Sequence, residues 1–130
     1  MAHEPLILLD TSVLIDYFRK TQKERTFFVA LSEKYPRLGV SVLTKFEIYL
    51  GSTPPQIKFW DSIFAYFEIL PFTESCADVA VEIQQDLKKK GLEIDLADLL
   101  IGATAKCHSL PLATLNIKHF QRITDLEILH

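Results

Sequence analysis

A chain of 130 residues, 48% hydrophobic and 24% charged, is long enough for one domain that buries about two-thirds of its unfolded surface, and its composition excludes a disordered or fibrous protein. A formal net charge of −3 excludes nucleic-acid binding through a generally basic surface, although a local basic rim around an acidic pocket remains compatible with it. Cys76 and Cys107 are too few and too widely spaced for a disulfide scaffold, and read as two buried free thiols in a reducing cytosol.

Met1-Ala2-His3-Glu4-Pro5 lacks the basic region that opens a signal peptide. The longest apolar stretch, Leu96 to Ala105, contains Asp98 and falls well short of the roughly 18 residues that span a bilayer. A cytoplasmic protein with no membrane segment is expected. Leu6 to Leu9 is a continuous apolar run suited to a strand covered on both faces, and it stops at Asp10-Thr11-Ser12, where a helical pattern begins. The spacing of Phe27, Phe28, Leu31 and Tyr35 predicts a second helix over Thr21 to Tyr35, ended by Pro36. Leu38 to Val42 reads as a strand, and Ser41 as the cap of a helix from Val42 to Leu50. Thr53-Pro54-Pro55 starts a helix to about Phe64, and Tyr66 to Leu70 is a third strand. Thr73-Glu74 opens a long helix that Lys88, Lys89, Lys90 and Gly91 close. Asp95 starts a helix reaching His108, followed by a strand at Leu112 to Thr114, a turn and short helix over Asn116 to Ile123, and a last strand at Glu127 to Leu129. Alternating strands and helices predict one three-layer α/β domain over 1–130, with a mostly parallel central sheet of four to five strands flanked by helices.

The chain has no phosphate-binding glycine loop, no serine-hydrolase elbow and no zinc-protease helix. His3, His108, His119 and His130 show no ligand spacing and read as surface residues. Cys107 and His108, neighbours on a helix, would point about 100° apart, poor for a nucleophile and its base. What remains is a set of acids where folding does not require them. Asp10 follows a buried strand, at the edge where open α/β sheets place ligands; a helix N-cap explains it equally well. Glu47 shares a partly apolar helix face with Leu43 and Leu50, with a surface glutamate as the alternative. Asp98 lies in the first turn of a helix that is apolar nearly all round, so its carboxylate must face a polar cavity or a cation. Asp95, one turn earlier, is explained as that helix's N-cap. Thr114-Leu115-Asn116 lies just beyond the strand at Leu112, on the same edge as Asp10, where Asn116 can equally be a turn residue. If Asp10, Glu47 and Asp98 converge to about 5 Å, they repel by roughly 3 kcal/mol per pair at an effective dielectric near 20. Such a cluster takes up a proton or a hard divalent cation, Mg²⁺ or Mn²⁺, the equipment of phosphoryl chemistry.

The segments Leu8-Leu9-Asp10-Thr11-Ser12-Val13-Leu14-Ile15, Ser41-Val42-Leu43-Thr44-Lys45-Phe46-Glu47, Asp98-Leu99-Leu100-Ile101-Gly102-Ala103 and Leu112-Ala113-Thr114-Leu115-Asn116-Ile117-Lys118-His119-Phe120 occur in this order and span nearly the whole chain. Together they resemble PIN-domain proteins, most of all the VapC toxins of type II toxin-antitoxin pairs. The resemblance implies that Asp10, Glu47 and Asp98 are the acidic, metal-binding catalytic residues, with Asn116 at a fourth metal-site position where many relatives carry Asp. It implies supporting roles for Thr11 or Ser12 and for Thr114; Asp95, on nearly the same helix face as Asp98, is a supporting residue in the minority reading beside its N-cap role. The departure at Asn116 removes one charge, which bears on a second metal more than on the first. The activity implied is Mg²⁺- or Mn²⁺-dependent endoribonuclease cleavage of RNA, commonly tRNA or another structured RNA, inhibited by a VapB-type antitoxin; a homodimer is the usual assembly. Lys45, Lys118 and Arg122 are candidate RNA-binding residues by chain proximity, and Arg19 to Arg25 is a second candidate rim or a solvated charge run. Two other readings stand beside this one. A phosphatase with Asp10 as nucleophile lacks the second aspartate it needs, since Ser12 occupies that position. A catalytically weak interaction module would act only through its protein partner.

Overall fold

In the computed structural model residues 4–130 are described; His3, assigned a surface role above, lies outside them. The elements run β1 (Leu6–Leu9), α1 (Thr11–Arg19), α2 (Phe27–Lys34), β2 (Arg37–Ser41), α3 (Val42–Leu50), α4 (Pro54–Phe64), β3 (Glu68–Leu70), α5 (Glu74–Lys90), α6 (Leu96–Cys107), β4 (Leu112–Ala113), α7 (Ile117–Phe120) and β5 (Ile128–Leu129). The five strands form one sheet in the order β3-β2-β1-β4-β5, with every pairing parallel.

β1 is the central strand, and its apolar run has a direct use. Ile7 and Leu9 enter one core with Val13, Leu14 and Trp60, while Leu8 enters a second core with Leu87, Ile101 and Phe120. A strand packed on both faces needs apolar residues at every position, since successive side chains point to opposite sides. The first core contains α1 to α4 and a chain of packed rings, in which Phe18 stacks on Trp60 at 5.5 Å between centroids. The second contains α5 and α6. Three layers follow.

Local signals set several boundaries. Ser41 accepts a hydrogen bond from the Leu43 N–H at 3.1 Å and caps α3 at Val42, as the sequence predicts. Gln56 Oε1 accepts from the Thr53 N–H at 2.8 Å in front of the prolines that open α4. Gly91 ends α5 at φ 66°, where a side chain would be strained.

Two expected elements differ. The helix expected over Thr21 to Tyr35 is a single 3-10 turn, Lys23–Arg25, followed by α2 from Phe27. Thr26 makes the break: its hydroxyl accepts from the Val29 N–H and donates to the Lys23 carbonyl at 2.7 Å, so it caps a new helix instead of continuing an old one. Lys23, read as part of a solvated charge run or an RNA rim, instead donates to the carbonyls of Tyr17, Phe18 and Lys20 at 2.8, 2.9 and 3.0 Å, satisfying the open end of α1. The expected burial of α6 all round is also wrong. Ile101 to Ala105 are buried, but Leu96, in the first turn, is 69% exposed. Among the described residues no helix is long and apolar enough to cross a membrane.

Candidate active site

β1 connects through α1 to β2 on one side, while its other neighbour, β4, arrives much later in the chain. The strand order therefore reverses between β1 and β4, and the crevice beyond their carboxyl ends is where open parallel sheets bind ligands. Asp10 follows β1 and Thr114 follows β4, so the topology brings both to that crevice.

Asp10 stands at the N-cap position of α1 with extended backbone angles, yet its side chain makes no cap hydrogen bond. Instead Asp10 Oδ2 accepts from Ser12 Oγ at 2.7 Å and from Thr114 Oγ1 at 2.8 Å. Each hydroxyl has a single proton, spent on Asp10, and each accepts a backbone N–H in turn: Leu115 to Ser12 at 3.1 Å and Asn116 to Thr114 at 2.8 Å. The loop after β4 is thereby tied to the carboxylate. Asp10 is buried, and burial pushes its carboxyl above the ordinary aspartate range; the Ser12 and Thr114 bonds oppose the rise and the charge of Asp98 adds to it.

Glu47, on α3, reaches the same edge through Thr11. Thr11 Oγ1 donates to Glu47 Oε1 at 2.9 Å, and its other hydroxyl contact, to the buried Thr44 at 2.9 Å, must then run with Thr44 as donor. Glu47 itself is exposed. Asp98, in the first turn of α6, is hydrogen-bonded to His119 Nδ1 at 2.9 Å and is close enough to Asp10 to act on its ionisation. Asp95 occupies the N-cap position of α6, but its side chain makes no cap bond and is exposed. Asn116 fills the turn position before α7; its N–H binds Thr114, its carbonyl accepts from His119 N–H and Phe120 N–H, and its side chain makes no cap bond. Lys118 is exposed, Lys45 lies over the Tyr49 ring at 5.4 Å, and Arg122 donates to the Glu93 carbonyl at 3.0 Å.

Asp10 and Asp98 thus share the crevice, and Glu47 borders it through Thr11. They stand further apart than a closed ligand set: among the described residues the only His, Cys, Asp or Glu trio with ligand atoms all within 4.8 Å is Cys76, Cys107 and His108. Each acid has its own hydrogen-bond partner: Ser12 and Thr114 for Asp10, Thr11 for Glu47 and His119 for Asp98. The donor set is carboxylate, hydroxyl and amide oxygen, which fits a hard, octahedral cation of the Mg²⁺ or Mn²⁺ kind that retains several waters. A buried carboxylate whose ionisation is opposed by burial and by a second acid is the feature such a cation would relieve.

Two contributors escaped the sequence reading. His119, assigned to the surface, is the partner of Asp98, and Thr44 orients Thr11. The pairing of His119 depends on how α7 packs on α6. A Cβ on Gly102 would lie 2.5 Å from Ile123 Cδ1 and 3.6 Å from the Phe120 ring, so the missing side chain lets the segment that carries His119 lie close against α6. A glycine within an apolar helix was the available signal for this close approach.

The PIN domain family model matches residues 7–126. The chain is 37% identical over 123 residues to Ribonuclease VapC1 of Methanocaldococcus jannaschii, covering 94% of this chain and 84% of that protein. It is 40% identical over 131 residues to Ribonuclease VapC of Rickettsia bellii, covering 95% and 94%. Among solved structures, VapBC2 from Rickettsia felis bound to a DNA fragment from its promoter aligns with a TM-score of 0.84 and 26% identity, covering 95% of this chain and 97% of that one.

Proposed function

The chain belongs to the PIN domain family, and on that premise we propose that it is a VapC-type ribonuclease, the toxin of a toxin-antitoxin pair, which hydrolyses phosphodiester bonds of RNA with the aid of Mg²⁺ or Mn²⁺. The observation that carries this reading is the buried Asp10 carboxylate at the reversal point of the sheet, facing the charge of Asp98.

Asp10, Glu47 and Asp98 would hold the ion, with Asn116 contributing an amide oxygen directly or through water. The chemistry such an ion supplies is polarisation of a phosphodiester oxygen and easier ionisation of the attacking water. The chain's own part is positioning. Ser12 and Thr114 fix the Asp10 carboxylate from the two strand ends, Thr11 holds Glu47, and His119 sets the rotation of Asp98. Asp95, one turn before Asp98, would play a supporting part. Lys45, two residues from Glu47, and Lys118 and Arg122, in the segment that follows Asn116, would hold the RNA backbone. tRNA or another structured RNA with an accessible single-stranded loop suits recognition by shape.

An antitoxin partner is supported by an apolar groove beside Glu47. Phe46 and Leu50 of α3 and Leu96 of α6 are 63, 73 and 69% exposed, and with Leu43, Ala97 and Leu100 they line a continuous depression that also includes Glu47. An amphipathic VapB segment laid there would bury these side chains and cover one of the three acids. The toxin would act in the cytoplasm, where its RNA is, as a homodimer.

The test is incubation of the purified chain, freed of partner, with total RNA and Mg²⁺ or Mn²⁺, followed by mapping of the cut ends. Cleavage should require the ion, stop with chelator and be lost in Asp98→Asn with the fold intact. Cleavage unaffected by chelator, or equally fast in Asp98→Asn, would overturn the reading.

A further inference from the structure

Away from the acidic crevice, the α5–α6 pair brings together three side chains of different chemistry. Cys76 Sγ, Cys107 Sγ and a ring nitrogen of His108 lie within 4.8 Å of one another, and Cys76 Sγ is 3.8 Å from His108 Nε2. We propose that Cys76, Cys107 and His108 form a second metal centre, a zinc site joining the start of α5 to the end of α6.

Geometry is the first argument. With Zn–S bonds of about 2.3 Å and Zn–N bonds of about 2.0 to 2.1 Å, tetrahedral ligands stand about 3.5 to 3.8 Å apart. The Cys76–His108 spacing of 3.8 Å already matches this, and the other two pairs, within 4.8 Å, need to close by about 1 Å at most. The elements explain why the three meet. Cys76 is in the first turn of α5, placed by the Thr73 cap, whose hydroxyl accepts from the Cys76 N–H at 3.3 Å. Cys107 is the last residue of α6, and His108 follows at its C-cap with φ −91° and ψ 4°, ahead of Ser109 at φ 55°. The His108 N–H still makes the helical bond to the Thr104 carbonyl at 3.2 Å, so the two side chains leave the helix as neighbours do, yet their ligand atoms lie within 4.8 Å of each other and of Cys76 Sγ. The expectation of two buried thiols holds only for Cys76; Cys107 is half-buried.

Chemistry is the second argument. Two sulfurs and an imidazole select a borderline-soft ion over Mg²⁺. The thiolate this requires is prepared for: Cys76 lies at a helix N-terminus, and Thr73 Oγ1 contacts its Sγ as a donor at 3.3 Å. His108 is exposed, which gives the ion a route in and leaves a fourth position for water. At 1.5 Å per residue, Cys107 lies about 14 Å along α6 from Asp98, so the centre is separate from the acids and stands whether or not they form a nuclease site.

The test is Co²⁺ titration of the intact, reduced chain in excess Mg²⁺, which keeps the oxygen site from competing. A thiolate-to-cobalt charge-transfer band should saturate at one ion per chain and disappear on addition of Zn²⁺. Asp10→Asn and Asp98→Asn should keep the band. Cys107→Ser and His108→Asn, both at partly exposed positions where folding is not threatened, should weaken it and abolish the rise in thermal midpoint that Zn²⁺ gives the parent. No band with the thiols reduced, a band indifferent to both variants, or a Cys76–Cys107 disulfide in freshly isolated protein would each overturn the proposal.

Discussion

Asp10 is placed where a helix cap would use it, but its carboxylate turns inward to two hydroxyl donors instead. Burial and Asp98 win over those donors, so its folded pKa lies above the unfolded value near 3.9. Between these two values the folded state binds more protons than the unfolded one, and ionisation therefore works against folding. Stability of the metal-free protein should fall as pH rises from about 4 through the raised pKa, and level off above it. Asp10→Asn keeps an oxygen for Ser12 and Thr114 and removes the charge. Urea unfolding in chelator across a pH series should show the variant more stable than the parent at neutral pH, with the decline flattened, and without RNA cleavage. An equal decline in both proteins would assign the conflict to another group. Thr114→Val is expected to act in the opposite sense. It removes a buried donor to this carboxylate and leaves the Asn116 N–H without its acceptor, at a cost of about 1 to 3 kcal/mol read from the same unfolding curves. Asp98 stood out from its local context, an acid in the first turn of an apolar helix, whereas Asp10 could equally be a helix cap and Glu47 a surface residue, so these two were singled out by their place in the resemblance. His119 and Thr44 were not, because a histidine on a one-turn helix and a threonine on an amphipathic one look ordinary until packing supplies their partners.

Helix α6 links these residues to larger structure, since its first turn carries Asp98 and its middle carries the contact with the 117–123 segment. Gly102 is the hinge of that contact in the packing sense: Ile123 and Phe120 are both buried against the space a side chain would fill. Gly102→Val should push the segment away, costing about 1 to 3 kcal/mol through overpacking and breaking the His119–Asp98 pair. Cleavage should fall further than stability explains, which an assay well below the melting temperature would show. Activity that merely tracks the folded fraction would mean that His119 does not set Asp98. The elements were readable from the sequence where a local cap dictates them, as at Ser41, at Thr53-Pro54 and at Gly91. The Thr21 to Tyr35 segment misleads because its apolar spacing is helical on both sides of Thr26, while the break is made by one hydroxyl and by Lys23 folding back on α1. Periodicity reports a face and is blind to an interruption that preserves the face.

At the scale of the molecule, the net charge of −3 and the acids at the crevice mean that RNA must be held by a few local cations against an unfavourable overall field. Of the candidates, Lys118 is exposed and free to move to a phosphate. Lys45 lies against Tyr49, and Arg122 already donates to the Glu93 carbonyl, so both reach RNA only by giving up or sharing a contact. Three phosphate contacts to single-stranded RNA would give a log–log dependence of affinity on salt with a slope of about −2, far shallower than that of a basic RNA-binding surface. Fluorescence anisotropy with Asp10→Asn, which should bind without cutting, measures this slope directly. Lys118→Ala in that background should make it shallower by about 0.7, the share of one phosphate. A slope as steep as about −5 would require an extended cationic surface, which the charge balance of this chain argues against. An unchanged slope in Lys118→Ala would move the RNA path away from α7 and toward the face of α3.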